Sequence, residues 1–384
     1  MKSLLALILS LAFLALQPVH ARALGMNDVS QLLPLPGVQE LQQMLAPPER
    51  GARGALLPYE AYRLLPLLSD QADQDQVYLH NLRVIGVRFD PCFAEGRSPT
   101  KCRPQIRLVW QPLLAVGDQV TTLDAAIHTF HEFTEAEWKR IELELKLLPQ
   151  SRNRVSFLTV QPEIQTQGYA GDYWKRLRQL ILSECGESNL IRATVMTVRM
   201  SRRWTFAGID RNGSGWTVMR IPTLEQANPV SQTFLLSPEG MMNLEEFVGG
   251  VSALPKSEEL WMRLLVNSLE LKKAESEANL MSVVRRAIRL ENPGFHNPGT
   301  ADCVSCHLAQ PVRLWGEKNF PNWNWRGEFG TDRFTGSRQD LRNSSVNPFR
   351  TDRMRAFGYF GRDPILSQRV IHETALVVDR LNRK

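Results

Sequence analysis

Leu190-Ile191-Arg192-Ala193-Thr194-Val195-Met196-Thr197-Val198-Arg199-Met200, Trp204-Thr205-Phe206-Ala207-Gly208-Ile209 and Gly215-Trp216-Thr217-Val218-Met219-Arg220-Ile221 form the clearest β meander in the chain. Each run is dense in β-branched and aromatic residues, which suit a pleated, half-buried surface. Asp210-Arg211-Asn212-Gly213-Ser214-Gly215 joins the last two. Asp, Asn, Ser and Gly fall at the first, third, fifth and sixth places of a calcium loop, but the twelfth is Ile221, where a bidentate Glu is needed. A hairpin turn is the better reading.

Upstream, Val77-Tyr78-Leu79, Val84 to Phe89 and Ile106 to Trp110 read as strands within the runs 77–89 and 105–114, and Val155 to Val160 as another. Thr134 to Leu148 reads as a helix, with Thr134 as N-cap, Glu137 three residues on, and Trp138, Ile141, Leu143, Leu145 and Leu148 on its apolar side. Tyr173 to Leu182 is helical too. Residues 24–75 read as an extended or short-helical lead-in, because Leu32-Leu33-Pro34-Leu35-Pro36-Gly37 breaks any long helix. Downstream, a Leu-rich helical stretch runs from about Ser257 to Leu290, with a break near Asn267-Ser268; short irregular turns follow Asn292-Pro293-Gly294, and a last helix spans about Pro364 to Asn382. The expected class is α+β. A mainly antiparallel N-terminal domain covers 24–250, and a helical, loop-rich region covers 251–384.

The chain has 384 residues, 43% of them apolar, with 9 Trp, 16 Phe and 6 Tyr, which excludes a disordered chain. Lys and Arg number 46 against 40 Asp and Glu, a net +6. That mild charge is no nucleic-acid footprint. Residues 1–23 read as a secretory signal peptide: Lys2, the apolar run Leu4 to Leu16, then Val19-His20-Ala21 and Ala21-Arg22-Ala23 as cleavage options. Cleavage after Ala23 would leave +4. The expected location is the periplasm or the secreted medium, with no transmembrane segment in the mature chain.

An exported chain can oxidise its cysteines. Cys92 and Cys102 flank a turn-rich loop between two strand-like runs, so a disulfide clamping a hairpin is expected. Cys185 is the odd cysteine and reads as a buried free thiol, with an intermolecular bridge as the other option. The remaining pair belongs to Cys303-Val304-Ser305-Cys306-His307, the C-x-x-C-H attachment signature of a c-type haem. Two thiols three residues apart can each reach a haem vinyl group and form a thioether, and the following imidazole can ligate the iron as proximal ligand. Other chemistries compete for the same residues. They are a structural zinc on Cys303, Cys306, His307 and His296, a C-x-x-C redox pair, or a disulfide across two residues.

The segment Thr300-Ala301-Asp302-Cys303-Val304-Ser305-Cys306-His307 resembles the haem-binding site of c-type cytochromes. The resemblance extends over roughly 280–384 and implies a loop-borne distal ligand, often Met, and a C-terminal helix closing the pocket. Asn297-Pro298-Gly299 departs from it, interrupting the approach where small cytochromes continue a helix. With a single C-x-x-C-H, the chain does not match the di-haem peroxidases.

After His307 only Met354 and His372 are strong ligand types. Met354 is the expected distal ligand, because the resemblance places a thioether in the irregular stretch before the final helix. His372 is the runner-up and His296 a third option. Trp315, Phe320, Trp323, Trp325, Phe329 and Phe334 are candidates to wall the haem, and one or two of the twelve Arg after residue 312 to pair with its propionates. His128 and His131, three apart, could share a helical face as metal ligands, or be surface or capping histidines. The chain has no G-x-S-x-G, Walker or H-E-x-x-H pattern. The expectation is an exported mono-haem c-type cytochrome-like protein for electron transfer or haem-based sensing, with a redox partner protein. The competing reading is a binding or scaffold protein whose haem or zinc is structural. An oxidase or peroxidase would need an open sixth iron position.

Overall fold

A computed structural model describes residues 22–69, 73–94, 102–150, 155–198, 203–221, 230–236, 244–248, 260, 263–264, 267–324, 328 and 355–383. The segment 1–21, Met354, Trp325, Phe329 and Phe334 lie outside the described residues.

The meander is the middle of a ten-stranded sheet whose pairings are all antiparallel. Its strands are β1 (Ser30–Leu32), β2 (Leu82–Ala94), β3 (Cys102–Val116), β4 (Gln119–Thr122), β5 (Ala125–Glu132), β6 (Leu190–Val198), β7 (Arg203–Asn212), β8 (Gly215–Val218), β9 (Ser231–Leu236) and β10 (Leu244–Val248). Their order is β1-β2-β3-β5-β6-β7-β9-β10, with β4 paired to β3 and β8 to β7. The fold is therefore mixed α+β. The Asp210–Gly215 segment is a hairpin: Asn212 faces Gly215, and Gly213 takes φ 59°, a left-handed value that glycine adopts without steric cost. Cys92 and Cys102 are joined at the β2–β3 end.

Helices α1 (Glu135–Leu147) and α2 (Asp172–Glu184) lie between β5 and β6 in sequence. The Thr134 side chain accepts from Glu137 N–H while Glu137 reaches back to the Thr134 N–H, a reciprocal cap. Further along, the described residues form α3 (Ser268–Ala274), α4 (Glu277–Leu290), α5 (Cys303–Asn319) and α6 (Gln368–Leu381). The expected break near Asn267 is real, since Asn267 caps α3, and Ser276 caps α4 after a second break. Among the described residues no helix is long and apolar enough to cross a membrane.

Some local expectations give way to tertiary context. Val77–Asn81 is a helical turn preceding β2, and 155–160 contributes only a single bridge, Leu32 to Val160. Pro364 lies in a hairpin of β11 (Phe357–Phe360) and β12 (Asp363–Leu366), so the last helix starts at Gln368 with Ser367 as cap. His128 and His131 sit on strand β5, not on a helix face. A strand alternates its side chains, so residues three apart point to opposite faces of the sheet.

The segments before and after residue 250 share one core. Ser30 Oγ lies 2.7 Å from Thr374 Oγ1, the Tyr359 hydroxyl donates to the Leu33 carbonyl, and the Gln111 amide bonds Tyr359 on both backbone groups. Arg88 on β2 is ion-paired to Glu373 on α6. At Gly86 the Phe357 ring comes so close that an added Cβ would clash with it. Glycine there is a packing requirement.

Candidate functional site

Asp302 starts α5. Its carboxylate accepts from Ser305 N–H at 2.9 Å and from Ser305 Oγ at 2.5 Å, satisfying orphan donors of the first turn. Gln232, on β9, donates to Asp302 Oδ1 at 2.8 Å and accepts from Val304 N–H at 3.1 Å. The helix N-terminus is thereby fixed to the sheet. Cys303, Cys306 and His307 then fall at i, i+3 and i+4, which is one face of a helix. All three are half-buried and open onto one cavity, whereas Val304, Ser305 and Leu308 are fully buried. Pro311 has no N–H, so the His307 carbonyl loses its i+4 helical donor.

The cavity offers about 230 Å³ to the centres of water molecules. Its opposite wall is the face of the sheet carrying Ala126, His128 and Phe130 from β5, Arg192, Thr194 and Met196 from β6, and Phe206 from β7. Register explains the grouping: His128 pairs with Thr194, and Thr194 with Gly208. Ala126, Met196 and Phe206 form the adjacent row, and Phe130, Arg192 and Asp210 the row on the other side. The His307 ring sits 4.7 Å from that of Phe206, centroid to centroid. Phe357, Arg355, Arg369 and Glu373 from the C-terminal segment close the remaining side.

Charge at the cavity is arranged in pairs, but buried guanidinium nitrogens of Arg107 and Arg355 are left without a hydrogen bond. Arg192 holds Asp210 through two contacts, at 2.5 and 3.1 Å. Arg369 bonds Glu373 at 2.6 Å and the carbonyls of Leu290 and His296, tying α6 to the loop before α5. Arg355 pairs with Asp124. Arg107 stacks on Phe130 and Phe93, 4.5 and 4.9 Å from the ring centres, and its buried Nε has no hydrogen-bond partner. Burial, followed by the charge of Arg88, lowers Arg107 to about 10. The Cys303 and Cys306 thiols are pushed up to about 12 and 11, mainly by burial. Burial first, then the charges of Arg107 and His307, holds His128 down to about 3, so the imidazole is neutral.

The donor set and its surroundings fit a c-type haem: two reduced thiols one turn apart, an imidazole on the same face, aromatic walls and an orphaned guanidinium nitrogen suited to a carboxylate. Zinc is less well served. Among the described residues no group of three or more His, Cys, Asp and Glu is gathered as metal ligands, and His296 does not line the cavity. His372 does not line it either. Its Nδ1 lies 2.9 Å from the Glu291 carbonyl and its Nε2 2.9 Å from the Gln368 amide. Trp315 packs edge-on against Phe320, and Trp323 lies against Arg285, so these three aromatics stand away from the cavity. Phe93, Phe130, Phe206 and Phe357 line it instead.

Sequence reasoning missed the sheet wall. The signal was there in Ala125-Ala126-Ile127-His128-Thr129-Phe130-His131-Glu132, where Ile127, Thr129 and His131 alternate with Ala126, His128 and Phe130. His131, on the reverse face, is fully buried, its Nδ1 accepting from Gly186 N–H at 3.3 Å. Cys185 is a buried free thiol, also away from the cavity. No family model, curated protein or solved structure matches this chain.

Proposed function

We propose that the protein is an exported mono-haem c-type cytochrome-like electron carrier. Cys303 and Cys306 hold one haem through thioethers, and His307 ligates the iron from the proximal side. When bound, such a group would supply one-electron redox chemistry, with electrons passing to and from a partner protein one at a time. The carrying observation is that the three motif side chains face a single cavity whose other wall is an aromatic and arginine-bearing sheet.

Within this reading the chain's own groups have distinct tasks. The Asp302 cap and its Gln232 partner orient the first turn of α5, so both thiols and the imidazole present together. Phe206, against the His307 ring, restricts its rotation. Phe130 and Phe357 exclude water, while Arg107 has a buried nitrogen available to a propionate. The test is haem-dependent peroxidase staining of denatured protein on a gel, after expression with the haem-attachment machinery. The wild type should keep its stain, and Cys303→Ala with Cys306→Ala should lose it. A wild type that loses stain on denaturation would exclude covalent attachment.

A further inference from the structure

We infer that His128, from the sheet, is the second axial ligand to the iron, so that the ligand pair is drawn from both halves of the chain. The assignment rests on the haem reading above and replaces the expected C-terminal methionine. The argument is one of position and of what is free to ligate. His128 and His307 line the same cavity, His128 from strand β5 and His307 from helix α5. Of the histidines among the described residues, these are the two that line it. His131, His296 and His372 each have a ring nitrogen engaged in a hydrogen bond. The His128 imidazole has no such partner among the described residues.

The neighbours of His128 leave room over the sheet. Its neighbour in the row is Thr194, a small residue that does not stand up between the imidazole and the motif helix, and beyond it Gly208 is covered by Met219. The two thioethers lining the cavity are placed less well. Met219 fills the hollow over Gly208, its Sδ and Cε 3.2 and 3.1 Å from where a Cβ would stand. Met196 stands in the row of Phe206, which already packs on the His307 ring. Imidazole from a strand also comes with a fixed backbone, so ligation costs little ordering.

The experiment uses the full-length holoprotein, with covalent haem first established by gel stain. Wild type should be low-spin in both oxidation states, and its oxidised form should lack the weak sulfur–iron band near the near-infrared edge. His128→Ala should become high-spin in the oxidised state, with added imidazole restoring the low-spin spectrum. His128→Met guards against mere misfolding: it should stay low-spin and gain the sulfur–iron band. Covalent haem with an unchanged spectrum in both variants overturns the assignment alone. So does a sulfur–iron band in the wild type that disappears in Met354→Ala, Met196→Ala or Met219→Ala. A wild type without covalent haem overturns the assignment and the reading beneath it together.

Discussion

Gln232 and Asp302 are hydrogen-bonded at 2.8 Å across the junction between strand β9 and helix α5, and both side chains are buried. The same amide accepts from Val304 N–H, so one side chain of the sheet serves both the cap and a backbone donor of the motif helix. Replacing Gln232 with Leu leaves a buried carboxylate oxygen and a buried N–H each short of a partner. The expected loss is about 2–4 kcal/mol of stability. Urea unfolding followed by tryptophan fluorescence would measure it, and an unchanged midpoint would show that the junction does not hold the helix.

Acid should destabilise the protein through His131. Its pKa is lowered from 6.5 to about 4, chiefly by burial. Above pH 6.5 both folded and unfolded forms are neutral, and this group adds no pH dependence. As pH falls from 6.5 towards 4, the unfolded chain takes up a proton that the folded chain refuses. Stability therefore drops, at most by about 1.4 kcal/mol per pH unit for one histidine. His372, lowered to about 4 mainly by burial, acts in the same sense. Unfolding free energies between pH 7 and 4 should fall less steeply in His131→Gln than in the wild type. Parallel profiles would refute the assignment.

The bridge from Cys92 to Cys102 closes a loop of ten residues. Chain-entropy arithmetic gives it about 2.7 kcal/mol. Peptide mapping without reduction should find the two cysteines joined, and Cys92→Ser with Cys102→Ser should lower the melting temperature. Alkylation of both thiols in the untreated wild type would count against the bridge.

Arg22 bears on where an exported chain is cut. Its guanidinium grips Asp28 at 2.7 and 2.8 Å and reaches the Leu145 carbonyl at 3.1 Å. Cleavage after Ala23 would discard that clamp and leave the buried Asp28 without its cation. Cleavage after Ala21 retains it. Amino-terminal sequencing of secreted protein should therefore read Arg-Ala-Leu-Gly, and a start at Leu24 would contradict this.

Much of the architecture could be read from local pattern. The 190–221 meander, the capped helix after Thr134 and the turn at Gly213 each carry their own instructions in neighbouring residues. The motif spacing put both thiols on one turn, but the irregular turns expected around it are in fact the 17-residue helix α5. The wall opposite it could not be read so easily, because strand register brings Phe130, Arg192 and Phe206 together across long stretches of sequence. His128 was misjudged for a narrower reason. With a helix beginning at Thr134, a three-residue spacing invited a helical reading, while the two-residue alternation around it specified a strand. Val77–Leu79 shows the reverse error, β-rich residues drawn into a helical turn by the Asp73 cap just before them.

The two ends of the described chain are locked to each other. Leu24 exchanges hydrogen bonds with the Asn382 side chain, 358 positions away, at 3.0 and 2.8 Å. Contacts of that span form late, because the intervening chain must first exist and be brought together. In a chain that emerges with its N-terminus first, the 75 residues that separate His307 from Asn382 arrive after the motif. Throughout that interval the Ser30 side chain lacks its Thr374 partner, and the cleft between sheet and motif helix has no C-terminal side. The order of emergence thus leaves Cys303 and Cys306 accessible before the finished fold encloses them.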